Sequence, residues 1–383
     1  MSAMKAVRIH NYGDAAVLSY EDAPQPTAAA GELLIQVMAT TANPFDYAAR
    51  AGYLAGWYAF TFPVTLGLDV SGIVAAVGEG VTEFAPGDAV FARADPAKNG
   101  AYAEYIALPA SEVAHKPASL DHLQAAALPH VGFTAWSALM EAGGLTAGQT
   151  VLIHGAAGGV GSLAVQLAKW RGATVIGTAS AHNLDFLREL GVDEAIDYNA
   201  TPFESVVHEV DLVLDTVGGD TQARSWGVLK PGGMLLSVVQ PPSAETAAAH
   251  NVRQAFVTAV PPAGEALRIL AALVESGDLR PVVSSVLPLA DVQQAHTLGE
   301  GGDARRIEEE PVDDVLGRAL GTGLGDVLVI GRDDALGARD ERIGHRHQGG
   351  VLVLARGQRQ HAGGLAGAQR RVTNLGSHGS ILG

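Results

Sequence analysis

The stretch HGAAGGVG, residues 154–161, stands between the apolar run TVLI at 150–153 and the segment SLAVQLAKW at 162–170. A glycine-rich run alone says little. Here it follows a strand-like run and opens a helix-like one, which is the setting that a dinucleotide-binding turn requires. Ala157, Gly159 and Gly161 are expected to form a tight turn that brings backbone N–H groups against a pyrophosphate. A helix beginning near Val160 would add its positive N-terminal end. A purely structural glycine turn is the competing reading, and the strand before and helix after weigh against it.

Working outward, strands and helices alternate. GVGSLAVQLAKWRG reads as a helix closed by Gly172, ATVIGTAS as a strand and AHNLDFLRELG as a helix. EAIDY, VDLVLDTVG and GGMLLSVV read as further strands. Such alternation predicts an α/β fold, with a doubly wound parallel sheet covered on both faces, over residues 126–262. Upstream, residues 1–125 carry short apolar runs (KAVRIH, LLIQVMAT, DVSGIVAAVG, DAVFA, AYAEYIAL) punctuated by NYGD, TAAAGE, GEGV and APGD. Many short strands with regular turns predict a small β barrel or sandwich. A helical stretch, SLDHLQAAALPHVGFTAWSALMEAGGL, with Ser119 or Asp121 as its cap, joins the two. Beyond 262 come one more helix, GEALRILAALVESG, and a strand with a last helix in RPVVSSVLPLADVQQAHTL.

The 383 residues suffice for two domains with real cores, and the 48 % hydrophobic and 17 % charged content is a globular profile. A formal net charge of -16 argues against nucleic acid and anionic membrane surfaces as partners. The absence of cysteine removes disulfides, thiolate catalysis and cysteine-ligated zinc. MSAMKAVRIH runs straight into strand alternation without the apolar core of a signal peptide, and no apolar run is long enough to span a bilayer, so a cytoplasmic location is expected.

From Gly301 the character changes. Residues 301–383 hold eleven Arg and no Lys against eleven Asp plus Glu, are glycine-rich and contain no aromatic residue. Two readings of this atypical Gly/Arg-rich tail stand open. It is an irregular or disordered extension, or it is an out-of-frame product of a GC-rich gene. A folded tail domain is a third, weaker one, and HRH at 345–347 reads as a solvated polar loop before it reads as a metal site.

The end of the second strand of the parallel sheet bears on the cofactor. An NAD site would carry Asp or Glu there for the ribose hydroxyls. The sequence has Thr178 and Ser180, with His182 nearby and no acid until Asp185. Small hydroxyls leave room for a 2′-phosphate, which favours NADPH over NADH, although no Lys or Arg falls at that position.

LIHGAAGGVGSLAVQLAKWRGATVIGTAS, NPFDYAARAGY, LGLDVSGIVAAVGEGVTEFAPGDAVFA and ALPHVGFTAWSAL together resemble the zinc-independent quinone oxidoreductases. These are the zeta-crystallin-like branch of the medium-chain dehydrogenase/reductase superfamily. The resemblance spans residues 1 to about 298. It implies a GroES-like catalytic domain, 1–125 completed by 263–300, and a Rossmann domain at 126–262. It also implies NADPH-dependent reduction and a homodimer paired through the Rossmann sheet. Where zinc enzymes of the superfamily carry Gly-His-Glu, this chain has Gly67-Leu68-Asp69, and ARADPAKNGAYAEY replaces the four-cysteine structural loop. No metal is therefore expected. Alcohol oxidation would lack its Lewis acid, whereas quinones and α,β-unsaturated carbonyls are already electron-poor.

By the same resemblance Asn43, Asp46, Tyr47 and Tyr53 are the candidate catalytic residues. Asn43 would bond near the reacting ring, and Tyr53 would orient the acceptor or relay a proton. Packing roles for the two tyrosines and a turn role for Asn43 compete. On the cofactor side stand Thr134 against the nicotinamide, Ala157, Gly158, Gly159 and Val160 on the pyrophosphate, and Thr178 and Ser180 toward the 2′-phosphate. Thr216, Val217, Ser237, Val238 and Val239 fall at strand ends, and Phe256 and Val257 at the nicotinamide edge. One departure concerns the family's closing strand: GDARRIEEEP begins in its manner and dissolves into acids, so that strand is expected to be missing. The reading is then an NADPH-dependent reductase of quinones. An alkenal or enone double-bond reductase is its rival among enzymes, and a low-turnover NADPH-binding sensor or structural protein its rival from another class.

Overall fold

Strand alternation up to residue 115 and strand–helix alternation after residue 149 build two different sheets. The computed structural model describes residues 2–258 and 262–300 and the backbones of 328–331 and 351–354. The first lobe comprises β1 (Ala3–Ile9), β2 (Ser19–Pro24), β3 (Glu32–Ala42), β4 (Val64–Thr65), β5 (Asp69–Val77), β6 (Ala89–Arg93), β7 (Tyr105–Pro109) and β8 (Val113–His115). β2, β1 and β4 form a small antiparallel sheet. In the larger one β3, β5, β6 and β8 follow in order, with β7 also on β3. Helix α1 (Pro44–Ala51) leaves β3 directly. The Asp46 carboxylate accepts the Asn43 N–H at its start, Pro44 takes the first position where no N–H is needed, and Gly52 ends it in the left-handed region.

After α2 (His122–Ala126) and α3 (Pro129–Trp136) come β9 (Thr150–Ile153), α4 (Gly159–Trp170), β10 (Thr174–Ala179), α5 (Leu184–Glu189), β11 (Glu194–Asp197) and β12 (Val210–Asp215). Then follow α6 (Gly219–Ser225), β13 (Leu229–Ser237), α7 (Ala244–Ala249) and β14 (Arg253–Phe256). Their parallel sheet has the order β11-β10-β9-β12-β13-β14. The chain therefore reverses direction across the sheet between β9 and β12, and at such a switch point the strand ends leave a crevice. This is the GroES-like plus Rossmann-type α/β architecture that the motifs predict.

One apolar core runs through both lobes. It includes Phe91 and Ala114 of the first, Leu139, Ile153 and Leu163 of the second, and Leu267 and Leu270 of α8 (Gly264–Glu275). Helix α9 (Val292–Gly299) returns to the first lobe, where Val292 and Ala295 pack with Tyr47, Ala48 and Tyr102.

The larger sheet of the first lobe also holds β15 (Val283–Pro288), β16 (Leu328–Gly331) and β17 (Val351–Leu354). β16 runs antiparallel to the end of β3, Leu328 opposite Ala42 and Gly331 opposite Ala39. The closing strand expected to be missing thus has a counterpart in LVIG, farther along the chain than the sequence suggested. The rest of residues 301–383, with HRH at 345–347 and the question of disorder or frame, lies outside the described residues.

Candidate active site

The glycine turn is built by close approach. Gly155 has φ +60°, and a Cβ there would meet Thr216 Oγ1 at 2.5 Å. A Cβ on Gly161 would lie 2.2 Å from the Gly155 carbonyl oxygen and 2.8 Å from Ala156 Cα, both backbone atoms that cannot yield. The first turn of α4 is thus pressed against the loop that leads into it. α4 begins at Gly159, with Gly158 as a cap whose absent side chain can satisfy no N–H. Gly158, Gly159 and Val160 are half-buried and Ala157 is buried. Gly155, which sequence reasoning passed over, is the residue whose backbone conformation turns the loop.

Beside the turn, Thr216 Oγ1 donates to the His154 carbonyl at 2.8 Å. Asp215, fully buried, accepts the N–H groups of Val217 (2.9 Å) and Gly218 (2.7 Å), the Gln222 amide and, at 3.0 Å, the Ser237 hydroxyl. The Ser237 oxygen in turn accepts the N–H groups of Val239 and Gln240. Val238 donates its N–H to the Asp215 carbonyl, and Val257 to that of Ser237. Thr216, Val217, Ser237, Val238, Val239, Phe256 and Val257 are thereby brought along one crevice wall, ordered by Asp215. The sequence offered only a small signal for that role, an acid closing the apolar strand LVLD.

The two hydroxyls at the end of β10 part company. Thr178 is 3 % exposed and its Oγ1 lies 3.1 Å from His154 Nδ1. The other ring nitrogen, Nε2, meets Ser225 Oγ at 2.9 Å, and Ser225 donates its own proton to the Thr221 carbonyl. His154 therefore carries its proton on Nε2, and Thr178 donates to Nδ1. Burial depresses the His154 pKa to about 4, so the ring is neutral. The Thr178 proton is committed inside the fold. Ser180 is half-buried past the strand end, within 3.4 Å of both His182 Nε2 and Asn183 Nδ2.

Across the crevice the first lobe contributes a compact polar cluster. Asp69, at the start of β5, accepts hydrogen bonds from the Thr41 hydroxyl, from Asn43 Nδ2 at 2.8 Å and from the His130 N–H at 2.6 Å. The last of these satisfies a first-turn N–H of α3. Asp46 accepts the N–H groups of Asn43 at 2.8 Å and Gly67 at 3.1 Å. Arg93, opposite Asp69 in the β5–β6 register, donates from Nε to His130 Nδ1 at 3.2 Å. Burial raises the Asp46 pKa to about 7 and that of Asp69 to about 6, against the opposing effect of their hydrogen bonds. Burial and the Arg93 charge lower His130 to about 3, leaving it neutral with its proton on Nε2. Thr134, one turn along α3, is buried and donates to the His130 carbonyl at 2.8 Å.

Of the four candidate catalytic residues the structure joins Asn43 and Asp46 in this cluster. Tyr47 belongs to another. It is buried, bonds to the Ala42 carbonyl, and sets its ring against His296, which contacts the Arg50–Glu300 ion pair through Arg50. Tyr53 is half-buried and feels the charges of Glu300 and Arg50. Thr41, Asp69 and His130 take the places around Asn43 instead. The lobes approach each other where Trp57 meets Phe256 edge to face, ring centroids 6.1 Å apart.

The donor set at Asp69 does not fit zinc. Both carboxylate oxygens are already hydrogen-bonded, the neighbouring nitrogen of His130 accepts from Arg93, and a guanidinium stands beside them. Among the described residues no group of three His, Cys, Asp or Glu side chains could hold a metal. A nicotinamide dinucleotide does fit. The glycine cap leaves the first-turn N–H groups of α4 without a side-chain partner, as a pyrophosphate requires, and Asn43 Oδ1, which is buried, has no hydrogen-bond partner. Among the described residues no helix is long and apolar enough to cross a membrane.

Residues 29–118 match the alcohol dehydrogenase GroES-like domain and residues 190–305 the zinc-binding dehydrogenase family. Over 316 residues the chain is 36 % identical to an NAD(P)H oxidoreductase, the mitochondrial RTN4IP1 of Danio rerio, covering 72 % of this chain and 82 % of that protein. It is 35 % identical to a 2-methylene-furan-3-one reductase of Solanum lycopersicum, with 76 % and 74 % covered. Among solved structures it is similar to the quinone oxidoreductase from Coxiella burnetii, at a TM-score of 0.73 and 36 % identity, over 79 % of this chain and 98 % of that one.

Proposed function

The chain belongs to the quinone oxidoreductase branch of the medium-chain dehydrogenase/reductase superfamily, and from that premise we propose that it reduces quinones with NADPH and without a metal. It is an oxidoreductase with a nicotinamide cofactor. The bound nicotinamide supplies a hydride. The residues of this chain bind, orient and exclude water. Gly155 and Gly161 let the loop press against the first turn of α4, and the uncapped start of that helix offers a pyrophosphate its N–H groups and positive end. Ser180, with His182 beside it and no acid at the end of β10, supports the 2′-phosphate and so NADPH over NADH. Asn43 Oδ1 accepts from the reacting end of the cofactor, and Thr134, Phe256 and Val257 supply the wall there.

The observation that carries the reading is the filled donor set of Asp69. Its oxygens are held by Thr41, Asn43 and His130, and among the described residues no group of three His, Cys, Asp or Glu side chains could hold a Lewis acid. Acceptors that are already electron-poor suit such a site. The tomato relative's name supports the second reading, reduction of an enone double bond. Within the same proposal the protein is a homodimer paired through the Rossmann-type domain, and it works in the cytoplasm.

Oxidation of NADPH and of NADH by the purified protein, followed with 1,4-benzoquinone and then with a medium-chain 2-enal, tests the proposal. NADPH consumption with the quinone well above that of NADH is expected. Faster turnover of the enal selects the second reading. Tight NADPH binding without oxidation by either acceptor makes the protein a nucleotide-binding sensor or structural protein instead.

A further inference from the structure

Arg93 brings a full positive charge into the site, and its partners do not use it up. The residue is 3 % exposed. Nε is engaged by His130, but Nη1 is buried and has no hydrogen-bond partner. Asp69 lies opposite it in the register, yet the oxygens of that carboxylate are taken by Thr41, Asn43 and the His130 N–H. Asp69 offsets the charge of Arg93 from across the strand pair, but a buried N–H donor with no acceptor is unfavourable. Such a group calls for an explanation, and a ligand that completes it is one.

The surroundings say what kind of ligand. The Phe133 ring centre lies 5.7 Å from the guanidinium carbon. The Tyr58 hydroxyl is near enough for its charge and that of Arg93 to interact. Phe45 makes edge contacts with both Tyr58, at 5.5 Å, and His130, at 6.1 Å. A planar, apolar molecule with one electron-rich oxygen matches aromatic walls with a single fixed cation. His130 cannot serve as that cation, because it accepts from Arg93 and is neutral. Arg93 and the Thr134 assigned to the nicotinamide are linked through one residue, His130, whose ring accepts from Arg93 and whose carbonyl accepts from Thr134.

We propose that Arg93 Nη1 is the donor that holds the acceptor's carbonyl oxygen and stabilises the negative charge that forms on it. This rests on the reductase reading above. The hydride forms a C–H bond at the conjugated carbon, the double-bond pair shifts, and its electrons come to rest on the carbonyl oxygen. The reduced nicotinamide is the two-electron reductant and water supplies the proton. With a quinone the carbon that took the hydride then gives up its other hydrogen as a proton while the second carbonyl oxygen gains one, and the product is a hydroquinone. With an enone the proton from water ends on the α carbon, and the product is a saturated carbonyl compound. A fixed guanidinium in a water-poor site needs no reorganisation as that charge appears.

The test compares wild type with Arg93→Met and Arg93→Lys. Turnover of 1,4-benzoquinone and binding of 4-nitrophenolate, an aromatic oxyanion, are measured at a pH where the phenol is ionised. NADPH affinity and circular dichroism serve as checks on folding. Arg93→Met is expected to lower kcat by about a hundredfold and to weaken 4-nitrophenolate binding by about tenfold, with NADPH affinity kept. Arg93→Lys should recover part of both losses. Turnover and phenolate binding that both survive in Arg93→Met overturn the proposal. If wild type reduces no acceptor, the reductase reading fails, and phenolate binding that depends on Arg93 still decides whether an oxyanion site is there. Should Arg93→Met not fold, Arg93→Gln takes its place, and the proposal falls if that uncharged variant, folded, binds phenolate and turns over as wild type does.

Discussion

The two walls of the crevice are made by opposite means. On the nucleotide side the chain approaches by omission, with glycines at 155, 158, 159 and 161 inside one run of eight residues. On the acceptor side Thr41, Asn43, Asp69, Arg93 and His130 come from four separated stretches and meet through side chains. A wall of backbone tolerates no added atom. A wall of buried polar side chains tolerates no lost partner, and its charge states respond to pH.

The largest effect should come from adding an atom to the first wall. Gly161→Val forces Cβ into the Gly155 carbonyl and Ala156 Cα, and neither can move without unseating α4. Overpacking of this kind costs roughly 1–3 kcal/mol. NADPH affinity, read by fluorescence titration, should fall by about a hundredfold, and the melting temperature should drop. An unchanged affinity would mean that the cradle does not hold the cofactor.

The second wall should reveal itself through pH. The Asp46 pKa stands at about 7 in the fold against an ordinary value of 3.8, because burial disfavours its charge. Between those two values the native state holds a proton that the unfolded chain releases, so this group's contribution makes stability fall as pH rises, and the loss levels off above about 7. In denaturant titrations, wild type should lose roughly 2–4 kcal/mol relative to Asp46→Asn between about pH 4 and pH 7. A flat difference would show that the hydrogen bonds from Asn43 and Gly67 outweigh burial.

The smallest pair of effects separates two hydroxyls that look alike in sequence. Ser180→Ala should weaken NADPH by about tenfold through a lost charge-assisted bond, with NADH affinity and melting unchanged. Thr178→Val should leave both affinities alone and cost about 1 kcal/mol of stability, since His154 Nδ1 loses its donor inside the sheet. Equal behaviour of the two variants toward NADPH would dissolve the distinction.

These contrasts track how much was legible beforehand. The strand–turn–helix context of residues 150–170 is local, so one run of sequence carries both the fold and the cradle. The separation of Thr178 from Ser180 was not legible, because it depends on a histidine at the end of the neighbouring strand. Asp69 could be noticed only as an odd residue where Glu follows His in zinc enzymes. Arg93 left no mark at all. Its place opposite Asp69 follows from the pairing of β5 with β6, and its unspent charge from the fact that three other groups reach Asp69 first. Tyr47, two residues after the phenylalanine of NPFD, was grouped with Asn43 by resemblance to the family motif, but α1 turns it toward His296.

Alternation of apolar runs and the placing of glycines determined by themselves that the chain is an α/β dinucleotide-binding protein with a β-rich partner lobe. These properties follow from neighbours within a few residues, where backbone geometry and period act directly. Which buried charges face one another, which hydroxyl is spent and which guanidinium nitrogen stays open were decided only by the tertiary structure. Hydrogen-bond partners at that depth are supplied by strands and helices tens of residues apart, and in a water-poor interior each partner already taken changes what the next group can do.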